Sequence, residues 1–286
     1  MEDDKQEAKA PEHVFLVDNG SLRPDSTRNL RRVADLLTKR SGRRVRAVSL
    51  LHSHKVAAEA LDGRAAEIFE PAVTAHAERG AREFLVLPFF FGPSRALTDF
   101  IPARVNRLKR LFPNLRVRMA PPLVDSVPGD EERVASLLCD GVLTRLQPES
   151  RPAVALVDHG SPAPEVTEVR NRVAARLGEF LGDRVSRVAA SSMERREGER
   201  YRFNEPLLER LLGSPGFDRG PVIVSMMFLS PGRHAGPGGD VATICAEAER
   251  AHPGLKTVMT PLAGEHDGIL DILVDRLRDE TRTVEF

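Results

Sequence analysis

Apolar residues come in short, dense runs separated by longer stretches of helical spacing. The runs are FLVD (15–18), RVRAVSLL (44–51), EFLVLPFFF (83–91) and LRVRM (115–119), then AVALVD (153–158), RVSRVAASSM (184–193), PVIVSMMFL (221–229) and LKTVM (255–259). Near-continuous apolar character over so few residues is the pattern of a strand buried on both faces. Between the runs, Leu30, Val33, Leu36 and Leu37 fall on one helical stripe, and Val166, Val169, Val173, Leu177 and Leu181 fall on another. Strands of this kind alternating with helices predict an α/β protein whose parallel sheets carry helices on both faces.

The same pattern is written twice. HVFLVDNGS (13–21) returns as AVALVDHGS (153–161), and FPNLRVRMAPPL (112–123) returns as HPGLKTVMTPLA (252–263) at the same offset. Between them IFEP (68–71) pairs with FNEP (203–206), and FFFGPSRA (89–96) with MFLSPGRH (227–234). Four matches in one order identify a tandem duplication. The expected architecture is two doubly wound parallel-sheet lobes, residues 13–147 and 152–286, facing a central cleft. The polar segment PESRP (148–152) joins them. Each lobe is expected to have the flavodoxin-like strand order 2-1-3-4. Residues 1–12, acidic and polar, read as a disordered tail.

In such sheets ligands bind beyond the carboxyl ends of the strands, where the strand order reverses. That places two imidazoles together. His159 follows the first strand of the second lobe, and His234 follows its third strand in the glycine-rich SPGRHAGPGGD. Glu194, just past the second strand, enters from the side. Two histidines and a carboxylate at an open crevice suit a divalent transition metal with free coordination positions, and imidazole is also a competent proton acceptor. His52 and His54 end the second strand of the first lobe and His266 opens the last helix; these are weaker candidates. His76 and His252 read as surface residues, and His13 carries no signal.

Charge and composition narrow the ligand. Lys+Arg and Asp+Glu both number 42, so no global field favours nucleic acid or an anionic membrane. With one tyrosine and no tryptophan there is no stacking platform for single-stranded nucleic acid. No apolar run has the length of a membrane span, which with the polar N-terminus predicts a cytoplasmic protein. Cys139 and Cys245 lack metal-type spacing and read as buried thiols. Walker, dinucleotide and nucleophile-elbow motifs are missing. Arginines nevertheless gather at the predicted crevice edges: Arg195, Arg196, Arg200 and Arg202, Arg233 beside His234, and Arg95 at the matching place in the first lobe. Such a rim fits a polycarboxylate ligand. Ser161 and Gly232, in the two crevice loops, join Arg195, Arg233 and Arg95 as candidate ligand contacts.

V-D-H-G-S after strand one, together with F-L-S-P-G-R-H after strand three, resembles the sirohydrochlorin chelatases, class II chelatases of the CbiX and SirB type. The resemblance runs from His13 to about Leu277 and fits the tandem-duplicated long form. It implies that His159 and His234 receive the metal and help to deprotonate the macrocycle, with Glu194 as a looser match to an acidic site residue. The implied reaction inserts Co²⁺ or Fe²⁺, as substrate rather than bound cofactor, into sirohydrochlorin or a similar carboxylated tetrapyrrole, on the way to cobalamin or siroheme. A non-catalytic metal or tetrapyrrole carrier is the alternative. A monomer with pseudo-two-fold symmetry is expected, the duplication standing in for a dimer. Two departures mark this chain. Asn19 and Ala96 replace the histidines that long-form members often keep in the first half, and GPGG lengthens the interval between His234 and Asp240.

Overall fold

The computed structural model describes residues 12–236 and 238–286. Residues 1–11, most of the expected tail, lie outside this range. Glu12, the last residue assigned to that tail, is instead clamped between Arg43 and Arg118.

The first sheet contains β1 (His13–Asp18), β2 (Val45–Ser49), β3 (Glu83–Pro88) and β4 (Arg116–Met119), and the second contains β5 (Ala153–Asp158), β6 (Arg187–Ser192), β7 (Gly220–Met226) and β8 (Leu255–Met259). These eight strands are parallel within each sheet, and the orders are β2-β1-β3-β4 and β6-β5-β7-β8, as the sequence predicts. A short ninth strand, β9 (Val284–Glu285), runs antiparallel to β4 and so returns the C-terminus to the first sheet. β3 ends at Pro88, and Phe89–Phe91 leave the sheet, although the apolar run continues through them.

Helix α1 (Pro24–Ser41) follows β1 as α5 (Pro164–Leu181) follows β5, each with proline in its first turn, where the missing N–H costs nothing. The remaining helices are α2 (Phe69–Ala77), α3 (Ile101–Leu111), α4 (Asp130–Leu143), α6 (Leu208–Leu211), α7 (Asp240–Ala251) and α8 (Gly268–Arg278). α2 and α3 cover the outer face of the first sheet, and α6 and α7 the outer face of the second. Between the sheets lies one shared core, to which α1, α4, α5 and α8 all contribute. The molecule is therefore a five-layer stack, helix–sheet–helix–sheet–helix.

The middle layer is exchanged between the halves. α4, from the first copy, packs on α5 and β7; α8, from the second, packs on α1 and β3. A buried ion pair pins the crossing. Arg276 of α8 meets Asp130 of α4 at 2.6 Å and also donates to the carbonyls of Pro122 and Leu123. Burial pushes the Asp130 carboxyl up, but hydrogen bonds from Arg276 and Arg282 outweigh it and leave the pKa below the usual range. Both cysteines are buried free thiols, and burial pushes Cys245 up to about 11. No helix among the described residues is long and apolar enough to cross a membrane.

Candidate active site

The carboxyl ends of both sheets open onto one cleft of about 270 Å³ between the lobes. Pseudo-equivalent turns meet there: Asp18, Asn19 and Gly20 from the first copy, Asp158, His159 and Gly160 from the second. The two glycines make these turns possible. Gly160 has φ +91°, and a Cβ there would lie 1.9 Å from the Glu194 carbonyl oxygen; Gly20 is held the same way against Leu51. This close approach sets the loop bearing His159 directly against the loop bearing Glu194.

His159 and His234 face each other edge to face, with ring centroids 4.6 Å apart. Each ring is fixed through Nδ1. His159 Nδ1 lies 3.0 Å from the Gly160 carbonyl and His234 Nδ1 lies 2.7 Å from the Asp240 carboxylate. A carbonyl or a carboxylate only accepts, so Nδ1 donates in both rings; in a neutral imidazole so held, Nε2 is the nitrogen with the lone pair. Metal-ligating histidines are oriented by this kind of partner. Glu194 comes in from β6, its Oε1 3.6 Å from His159 Nε2. Among the described residues, no group of three or more His, Cys, Asp or Glu side chains is arranged to hold a metal ion. The site is a pair of imidazoles, each with a carboxylate beside it.

Asp240, marked in the sequence only as the far end of a lengthened interval, is the partner of His234. The lengthened loop brings it back to His234 all the same, because Asp240 opens α7 directly beneath the loop. On the facing side the first copy contributes an apolar stretch, Phe89, Phe90 and Phe91 where they leave β3, beside polar Asn19, Ser26 and Ser94. Asn29 of α1 steadies the histidine loop from across the cleft, donating to the Leu229 carbonyl and to Ser230 Oγ.

A model of the CbiX family matches the chain twice, over residues 13–143 and 153–280. The chain belongs to the CbiX family. Its fold is that of SirB from Bacillus subtilis with Fe³⁺, at TM-score 0.68 and 14% identity, covering 94% of this chain and 95% of that one. SirB of Bacillus subtilis subspecies spizizenii in complex with cobalt gives TM-score 0.67 at 14% identity, covering 94% of each chain. CbiX, described as the terminal enzyme for siroheme biosynthesis in denitrifying bacteria, gives 0.58 at 16% identity, covering 94% of this chain and 99% of that one. No curated protein sequence matches.

Against this CbiX-type frame the other expected contacts sort themselves. Arg233 stays largely exposed, its Nε 3.6 Å from Asp240, and Arg95 is exposed on the opposite lobe. Arg195 is taken internally: it donates to Glu205 at 2.7 Å and to the carbonyls of Arg196 and Gly198. Ser161 Oγ accepts the Ala163 N–H while its own N–H donates to Asn204, so it shapes the turn into α5. Gly232 donates its N–H to the Ala235 carbonyl and sits opposite Ser21 of the other lobe. The weaker histidine candidates lie elsewhere. His52 is exposed, His54 lines a separate surface pocket, and His266 Nε2 pairs with Asp140 at 3.3 Å. His76 packs against His13 with ring centroids 4.4 Å apart and the rings tilted, so His76 is half-buried rather than free on the surface.

The floor of the site is built differently in the two copies. Asp158 is buried but compensated: Ser192 Oγ donates to it at 2.6 Å, the Gly160 N–H at 3.1 Å, and buried Arg170 lies 4.0 Å away. Burial still raises its pKa, against the pull of Arg170. In the first copy Leu30 stands where α5 has Arg170, the seventh residue of each helix. Asp18 therefore has no counter-charge, its Oδ1 has no hydrogen-bond partner, and burial pushes its pKa up to about 6.

Proposed function

We propose that the protein is a chelatase that passes a divalent metal ion, Co²⁺ or Fe²⁺, into a carboxylated tetrapyrrole of the sirohydrochlorin type. The observation that carries this reading is the facing pair of His159, which lines the cleft, and His234 against it, each tied at Nδ1. Two neutral nitrogen donors hold a divalent ion without caging it, which suits a metal that must leave. Insertion displaces two pyrrole N–H protons for each metal taken up. Glu194, beside His159 Nε2, and the imidazoles vacated by the metal are placed to accept them. The phenylalanine wall opposite gives one face of the macrocycle an apolar surface while the other faces the histidines. The chain acts as a monomer in this reading, the first copy supplying the wall and the second the donors.

The test is an absorbance assay of metal insertion with Co²⁺, Fe²⁺ and Ni²⁺ separately. Wild type accelerates insertion over the buffer rate, and His159→Ala and His234→Ala each lose at least roughly 100-fold, as expected for removal of a direct participant. Wild-type rates in both variants refute the assignment. Tight ligand binding with no acceleration identifies a carrier instead.

A further inference from the structure

The segment from Glu194 to Asn204 contains four arginines, and the structure treats them unequally. Arg195 is neutralised by Glu205 at 2.7 Å, and Arg202 by Glu199 at 3.1 Å. Arg196 and Arg200 have no carboxylate partner among the described residues, although Glu197 lies between them in sequence. Both turn instead to Tyr201, the single tyrosine of the chain, which is buried in the helical turn Glu199–Asn204. The Arg200 guanidinium lies 4.8 Å from the ring centroid and that of Arg196 lies 6.0 Å from it.

A third cation, Arg95 on the other lobe, adds to the positive field at the same phenol. The hydrogen bond from Arg196, then the charges of Arg200 and Arg95, holds the Tyr201 hydroxyl below its ordinary pKa. Arg95 directly follows Ser94, which lines the cleft. It too has no carboxylate partner among the described residues. Three like charges around one hydroxyl repel one another; an anion placed among them reverses the sign of the arrangement. The corresponding turn of the first copy, Ala58–Leu61, contains neither arginine nor tyrosine. The feature belongs to the lobe with the imidazole pair.

We infer that Arg95, Arg196, Arg200 and Tyr201 form a carboxylate subsite at the mouth of the cleft, which takes one acidic side arm of the ligand and ties it to both lobes. This rests on the tetrapyrrole reading above and adds to it the place where the macrocycle's periphery is gripped. Guanidinium groups give paired, charge-assisted hydrogen bonds, and the phenol gives a further donor.

The probe is a free-base porphyrin with eight side-chain carboxylates, compared with its octamethyl ester, titrated by porphyrin fluorescence into the full-length protein. Wild type binds the acid at least about ten-fold more tightly than the ester, the scale of one charge-assisted hydrogen bond. Arg196→Gln/Arg200→Gln and, separately, the exposed Arg95→Gln lower acid affinity by about ten-fold or more and leave ester affinity unchanged. Tyr201→Phe lowers acid affinity several-fold. Acid affinity unchanged in the arginine variants overturns the subsite, as does equal loss for acid and ester or a wild type that does not distinguish the two. Metal insertion measured on the same preparations separates the two readings. Arginine-dependent acid binding without insertion keeps the subsite and refutes the chelatase; insertion with unaltered acid binding does the reverse.

Discussion

Asp18 and Asp158 occupy twin positions at the ends of β1 and β5, yet the same substitution is expected to have unequal effects at the two. The Asp18 carboxyl is buried, has one oxygen with no partner, and titrates at about 6 instead of 3.8. A carboxyl whose pKa is raised on folding binds its proton more tightly in the folded state. Its stabilising effect is thus complete at low pH and is lost as pH rises from the unfolded value through about 6. The upward shift of roughly two units corresponds to about 3 kcal/mol of penalty once both states are ionised. Asp18→Asn removes the charge and keeps the shape. Its advantage over wild type is expected to grow from roughly half a kcal/mol at pH 4 to about 3 kcal/mol at pH 7.5. The assay is urea unfolding at pH 4, 5, 6 and 7.5, followed by far-UV circular dichroism because the chain has no tryptophan and one tyrosine. Asp158→Asn also relieves a raised carboxyl but strips buried Arg170 of its counter-charge, so its gain at pH 7.5 is expected to be smaller than that of Asp18→Asn. A difference between Asp18→Asn and wild type that does not change with pH refutes the reasoning, as does a variant less stable at pH 7.5.

Three further outcomes follow from the geometry. Asp240→Asn weakens the hold on His234 Nδ1 and is expected to lower Co²⁺ affinity about 10- to 100-fold with little change in melting temperature, measured by calorimetry and thermal unfolding. Gly160→Ala meets both a left-handed backbone and the Glu194 carbonyl, so it should destabilise by more than about 2 kcal/mol, whereas Gly42→Ala, left-handed but in open space, should cost about 1 kcal/mol; equal losses in denaturant unfolding refute the steric argument. Arg276→Met leaves Asp130 with Arg282 alone and should cost about 3–5 kcal/mol, and Arg276→Met/Asp130→Leu should recover part of it in the same measurement.

Strand order and the meeting of His159 with His234 are legible in the sequence because both depend on local pattern. The strands are buried on both faces, and the histidines sit immediately past them. The exchange of α4 and α8 is not legible. Both helices carry an apolar stripe that fits either sheet, and only the three-dimensional crossing, with Arg276 against Asp130, decides between them. The arginine rim was visible as a charge run, but a run does not say which members are neutralised; Glu205, ten residues on, takes Arg195. Asp240 was seen only as a spacing anomaly, because the length of GPGG hides that the loop doubles back. Phe89–Phe91 read as more strand because Pro88 and the phenylalanines are equally apolar in pattern.

The exchanged helices also set the order in which the chain can be completed during synthesis. The inner face of the first sheet, with Val14, Leu16, Leu85 and Leu87, packs in the shared core with α1 and α8. α8 emerges from the ribosome after every other α-helix and after all eight strands of the two parallel arrays. Until then the first copy exposes apolar surface, although α4 has its partner sheet sooner, once β5–β8 are made. Nascent chains released before residue 268 should therefore depend on a chaperone for solubility. The lobe that is made first is finished last.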